Sequence, residues 1–216
     1  MYRILQVLSD PEIAECRRIV AEATFVDGRI SNPESRAKQN EQAASTAISE
    51  LLKQALTRSA EFIQIAFPVA IAPPMLARYK PGMEYGAHAD SAFIPLPGAI
   101  IRSDISCTIF LSDPADYDGG ELQVWIGDTH LTFKLKAGEA IFYPSDTLHQ
   151  VLPVTRGERL VAITFIQSRI QDPFQRNLLY ELRDVEAREG SKMDPDNRAR
   201  LQLIEQNLLR CWSDKP

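Results

Sequence analysis

The chain has 216 residues, of which 44% are hydrophobic and 25% charged, with a formal net charge of −5. That length suits one larger all-β domain or two small ones, and the apolar share suffices for a substantial core. An acidic balance argues against a bare phosphate-binding surface, so nucleic acid is not an expected partner.

No run approaches the roughly 18 apolar residues of a membrane span, and residues 1–8 turn polar too quickly for a signal peptide. Cys16, Cys107 and Cys211 are odd in number and scattered, which fits reduced, buried thiols better than a disulfide framework or a zinc knuckle. A cytoplasmic protein with no membrane partner is expected.

Residues 2–8 read as a first strand, and Ser9 with Glu12 three positions later forms a capping-box pattern. Ile13, Cys16, Ile19 and Val20 then recur at helical spacing. A turn at 25–29 and a polar loop at 30–34 lead to a second expected helix over about 35–62. Residues 63–72 are apolar but interrupted by Pro68, as suits an edge strand or a turn. The stretch 91–99, with two prolines and Gly98, reads as a mobile lip.

Strands are expected at 105–111, 121–126, 129–135, 139–143, 147–151 and 159–167, divided by glycine-bearing turns. Short strands at this spacing imply a β-sandwich or barrel. Arg102 and Asp104, ahead of the first of these strands, read as a surface ion pair or, less favoured, as residues approaching the functional pocket. Two helices, 173–189 and one opened by Asp194-Pro195, carry leucines at helical spacing and form an expected C-terminal hairpin, either a packing lid or a homodimer contact.

The chemistry concentrates in His88-Ala89-Asp90. On an extended strand positions i and i+2 share a face, so the imidazole and the carboxylate can hold one ion. A third ligand must come from His130 or His149, the remaining histidines. In the 129–135 strand Leu131, Phe133 and Leu135 alternate against His130, which puts His130 on the polar face and leaves His149. Two histidines and one carboxylate form the facial triad of non-haem Fe(II) oxygenases. Arg159, ten residues after His149, could supply a guanidinium fork for the distal carboxylate of a keto acid.

These residues, with Tyr79, the Tyr117-Asp118-Gly119-Gly120-Glu121-Leu122 run and the segment from His149 through Pro153, Val154 and Gly157 to Arg159, resemble a known family. It is the Fe(II)/2-oxoglutarate dioxygenases of the prolyl 4-hydroxylase type, and within them the bacterial PKHD-type hydroxylases, some linked to iron uptake. The resemblance covers roughly 76–168 strongly.

It implies a mainly β (α+β) chain with a double-stranded β-helix, or jelly-roll, core. The jelly-roll with its N-terminal helices would occupy 1–170 and a helical extension 171–216. It also implies Fe(II) on His88, Asp90 and His149, the 2-oxoglutarate C5 carboxylate on Arg159, and a hydroxyl hydrogen bond from Tyr79 or Thr164. The products would be succinate, CO2 and a hydroxylated substrate: a prolyl or lysyl side chain, or a small molecule such as a siderophore. O2 is consumed, and ascorbate would keep the iron ferrous.

Against the family's pattern, Ser31-Asn32-Pro33-Glu34 stands where small residues are expected at the site mouth. A cupin-like metal sensor without oxygenase activity remains the alternative, though it has no use for Arg159. A zinc hydrolase would need a general base that the sequence does not offer.

Overall fold

Strand alternation decides which side chains meet in this molecule. In the computed structural model, which describes residues 2–32 and 36–214, two antiparallel sheets face one another. The major sheet runs in the order Arg3–Gln6, Glu139–Pro144, Ile105–Phe110, Arg159–Ser168, Met75–Tyr79, Glu41–Ala43, Val26–Asp27, with Pro68–Ile71 added to the far end of Arg159–Ser168. The minor sheet runs Thr129–Phe133, Leu122–Ile126, His149–Val151, Glu84–His88, Lys38–Gln39. This is the expected jelly-roll.

On the major sheet Leu76, Ile105, Cys107, Ile109, Ala140, Phe142, Leu160, Ala162 and Ile166 face outward into one apolar cluster with the helices. Their alternates Ala77, Tyr79, Ile141, Tyr143 and Val161 face inward and join Leu122, Val124 and Val151 of the minor sheet. Period-two patterning thus gives every central strand one face for the helix layer and one for the barrel interior.

The outer layer consists of helices Asp10–Glu22, Thr46–Arg58 and Ala60–Ala66. Ser9 and Glu12 hold the first N-terminus, where the Ser9 amide donates to Glu12 Oε2 at 2.9 Å. Ser45 and Ser59 cap the other two by accepting from Ile48 and Phe62 amides.

The C-terminal helices Pro173–Glu189 and Pro195–Trp212 form the expected hairpin. Leu179, Leu208, Leu209 and Trp212 pack with Phe67 and Ile170, and Arg183 bridges to Glu205 at 2.7 Å. No helix among the described residues is long and apolar enough to cross a membrane.

The structure departs from the sequence expectation in several places. Of the stretch 63–72 read as an edge strand or a turn, 63–66 complete helix Ala60–Ala66 and only Pro68–Ile71 is a strand. The stretch taken as one helix from 35 to 62 contains the short strands Lys38–Gln39 and Glu41–Ala43 before helix Thr46–Arg58 begins, and Ser59 breaks it from the next helix. Lys38, Asn40 and Gln42 are buried there with Gln39 exposed and Glu41 half-buried between them, so the strand period is written in polar residues, which hides it from hydrophobic patterning. Ser35, Pro33 and Glu34 lie outside the described residues.

The lip at 91–99 is a hairpin, Phe93–Leu96 paired with Ala99–Arg102, turning at Gly98 with φ +75°. Arg102 and Asp104 do pair, at 2.6 Å, but not on the surface. The Asp104 side chain is 4% exposed and accepts from the Ser168 amide, and Arg102 also holds Asp214. Leu131 is exposed, since its strand is the edge of the minor sheet. Cys16 and Cys107 are buried free thiols as expected, but Cys211 is exposed.

Phe62 is fully buried, with its ring centroid 5.4 Å from that of Phe142 on the major sheet. Phe62→Ala should cost about 3–5 kcal/mol in urea unfolding, and a loss below about 1 kcal/mol would mean the helix layer does not share the sheet's core.

Candidate functional site

His88 ends the strand Glu84–His88, and His149 opens the neighbouring strand directly opposite it. Asp90 follows two residues after His88. Ligand-capable atoms of His88, Asp90 and His149 all lie within 4.8 Å of one another, on the inner face of the minor sheet. His130 is exposed on the edge strand, beside Trp125 and Gln123, and outside this group.

The tautomers follow from the backbone. Nδ1 of His88 lies 2.8 Å from the Gly86 carbonyl oxygen, and Nδ1 of His149 lies 3.0 Å from that of Thr147. A carbonyl oxygen only accepts, so each Nδ1 carries a proton, which leaves each Nε2 as the atom that can ligate a metal. Burial, and the neighbouring His149, bring the His88 imidazole down to about 4, so it is neutral at physiological pH. Burial pushes the Asp90 carboxyl above its ordinary range, against the opposing pull of His149 and Ser106.

Ser106 donates to Asp90 Oδ2 at 2.5 Å, shares a 2.9 Å bond with the Ser145 hydroxyl, and Ser103 donates to Ser145 at 2.8 Å. Two imidazole nitrogens and one sequestered carboxylate fit a divalent cation of the Fe(II) kind.

A bulge in the pairing lets Tyr85 oppose Val151 while His88 opposes His149, three residues against two. Tyr85 and His88 therefore come to the same face, and their rings stack 3.5 Å apart. Tyr143 meets His149 edge-on at 5.2 Å.

Arg159 lines the same pocket from the major sheet. It is 1% exposed, and its Nε and Nη1 have no hydrogen-bond partner. The guanidinium carbon lies 5.0 Å from the Tyr79 ring centroid and 5.4 Å from that of Phe110. Gly120, at φ +66°, lets the Arg159 arm pass: a Cβ there would stand 3.0 Å from Arg159 Cδ and 2.8 Å from Val154 Cγ2. The Tyr117 hydroxyl is buried and unpaired next to the charge; burial raises its pKa and Arg159 opposes that.

Tyr79 stands opposite Arg159 in the sheet. Its hydroxyl accepts from Asn40 Nδ2 at 2.9 Å, which leaves its own proton to give. Burial keeps the phenol protonated, although Arg159 and Asn40 pull the other way.

Thr164, expected to offer a hydroxyl to a co-substrate, borders the pocket but is committed elsewhere. It lies in phase with Leu160, Ala162 and Ile166 on the helix-facing side, and its hydroxyl donates to the Ala72 carbonyl at 2.6 Å. Ser106, Asn40 and Tyr85 were not singled out from the sequence, and Tyr117 entered only as the first residue of the 117–122 run. Ser106 was findable, since it alternates with Ile105 and Cys107 and so points into the barrel.

The model of the 2OG-Fe(II) oxygenase superfamily matches residues 74–167. A PKHD-type hydroxylase of Sphingopyxis alaskensis is 56% identical over 216 residues, covering 98% of this chain and 99% of the relative. One of Caulobacter vibrioides is 41% identical over 228 residues, covering 99% of both.

Among solved structures, a Pseudomonas putida prolyl-4-hydroxylase superposes with a TM-score of 0.55 at 21% identity, over 78% of this chain and 92% of that one. The viral collagen prolyl hydroxylase of Paramecium Bursaria Chlorella virus-1, in its 2OG complex, gives 0.55 at 23% identity, over 77% and 95%. Those two likenesses concern the fold. With relatives this similar along its whole length, the chain belongs to the PKHD-type hydroxylases of the 2OG-Fe(II) oxygenase superfamily and is an Fe(II)- and 2-oxoglutarate-dependent dioxygenase.

Proposed function

We propose that His88, Asp90 and His149 hold the ferrous ion and that Arg159 and Tyr79 hold 2-oxoglutarate, for hydroxylation of a substrate carbon. The observation that carries this reading is the buried Arg159 guanidinium, whose Nε and Nη1 have no partner in the pocket that the triad lines. A buried cation with free donors is costly to fold unless a ligand answers it, and a planar fork matches a carboxylate.

With O2, bound Fe(II) and 2-oxoglutarate would supply oxidative decarboxylation to succinate and CO2, one oxygen atom going into succinate and the other into a substrate C–H bond. The protein's own part is placement and exclusion of water. His88 and His149 present Nε2, and Ser106 fixes the Asp90 carboxylate. Arg159 would hold the C5 carboxylate, and the Tyr79 hydroxyl, oriented by Asn40, would keep its proton for the same end of the molecule. Leu122, Val151 and Ile163 wall the pocket against bulk solvent. Ascorbate would serve as the reductant that restores ferrous iron after uncoupled turnover.

Arg159→Ala should leave metal binding nearly intact and weaken 2-oxoglutarate by about 30- to 150-fold, the equivalent of roughly 2–3 kcal/mol. Arg159→Lys should recover only part of this, because a point charge does not reproduce the fork. Calorimetric titration of 2-oxoglutarate into Co(II)-loaded protein checks both, and equal affinity in wild type and Arg159→Ala would remove the reading.

Asp90→Ala should fold and melt normally yet bind Co(II) weakly and lose 2-oxoglutarate turnover. Ser106→Ala, which only releases the carboxylate, should lower metal affinity by about 10- to 100-fold. Wild-type turnover in Asp90→Ala would show that the carboxylate is not a ligand.

A further inference from the structure

The strand Lys38–Gln39 runs beside the iron-site strand, with Lys38 opposite Tyr85. The Lys38 ammonium sits 5.3 Å from the centroid of the Tyr85 ring, and that ring stacks on His88. Lys38 is only 4% exposed. Nζ donates to Ser31 Oγ at 2.6 Å and, with the Gln42 amide oriented as its neighbours require, to Gln42 Oε1 at 3.1 Å.

Both acceptors are neutral. Asp27 and Glu41, the acids lining the same groove, are engaged by Arg29 and by Arg78 with Lys80. Burial brings the ammonium down to about 8, with Asp90 and Asp27 opposing, so it is charged at neutral pH. Among the described residues Lys38 is thus a buried cation without a carboxylate partner.

Such a charge destabilises a fold unless an anion answers it. The charges of the proposed centre point the same way. Ferrous ion, Asp90, dianionic 2-oxoglutarate and Arg159 cancel among themselves, which leaves Lys38 unanswered. The groove outside it, about 510 Å³, carries Arg36 at its wall as a further cation.

We propose that Lys38 is the anchor for a carboxylate of the substrate, seated beside Tyr85 so that a neighbouring carbon faces the metal position. The substrate class is then acids: a free carboxylic acid or an acidic side chain on a peptide. This rests on the function proposed above and adds the substrate's chemistry to it. Lys38 is a positioning residue and takes no part in oxygen chemistry.

The test uses full-length protein saturated with Co(II) and 2-oxoglutarate and titrated calorimetrically with matched probes. N-acetyl-L-proline against N-acetyl-L-prolinamide represents free acids, and acetyl-Gly-Asp-Gly-amide against acetyl-Gly-Asn-Gly-amide represents side chains. In wild type at least one acid should bind about tenfold or more tightly than its amide, as a charge-assisted contact implies, and the pair that does so identifies the source.

The preference should vanish in Lys38→Met and partly return in Lys38→Arg, while 2-oxoglutarate affinity stays within about twofold of wild type in both, as expected for a contact made outside the co-substrate's own. No acid preference in wild type, or a preference that survives in Lys38→Met, would each overturn the proposal. Failure of wild type to bind 2-oxoglutarate at all would instead overturn the functional reading beneath it.

Discussion

The arrangement depends above all on keeping the Arg159 guanidinium out of water while leaving part of its fork free. Hydrating it would be the easiest way to stabilise the charge, so the structure must deny water access from every side. The faces of Tyr79 and Phe110 cover it, the Gly120 backbone admits its stem, and the inner cluster closes above. A cation so enclosed is poorly screened, and its attraction for an incoming carboxylate is correspondingly large. The cost of holding it falls on the rest of the fold, chiefly on the helix layer, which buries the opposite face of the same strand.

The two halves of the centre come from different sheets. Arg159, Tyr79 and Ser106 belong to the major sheet, and His88 and His149 to the minor one. Asp90 belongs to neither, and the Ser106 hydroxyl ties it across the gap. The proposed metal and co-substrate grips are therefore registered to each other by this one hydroxyl and by the side chains packed between the sheets. A change in the packing of Val124, Ile141 or Val161 shifts one grip relative to the other without touching either.

The clustering of His88, Asp90 and His149 was legible in the sequence because few histidines compete and because strand phase separates His130 from the others. The central strands were legible for the same reason, since Ile141 with Tyr143 and Leu160 with Ala162 write their faces in apolar residues. What escaped was polar and buried. Lys38, Asn40 and Gln42 alternate as a strand should, but hydrophobic patterning gives such residues no weight. Tyr85 escaped because a bulge, invisible in composition, brings it to the His88 face. Thr164 lies an odd number of residues from Arg159 along the strand, and its hydroxyl donates to the Ala72 carbonyl.

Main-chain carbonyls, those of Gly86 and Thr147, set the tautomers of both histidine ligands. Donor orientation is thereby uncoupled from side-chain identity at those positions. The pocket walls are free to drift in sequence, and the substrates they admit to change with them, while the imidazoles keep their aim. A scaffold with this division between an invariant backbone instruction and replaceable walls can diversify by point substitution alone, without passing through forms that have lost the metal.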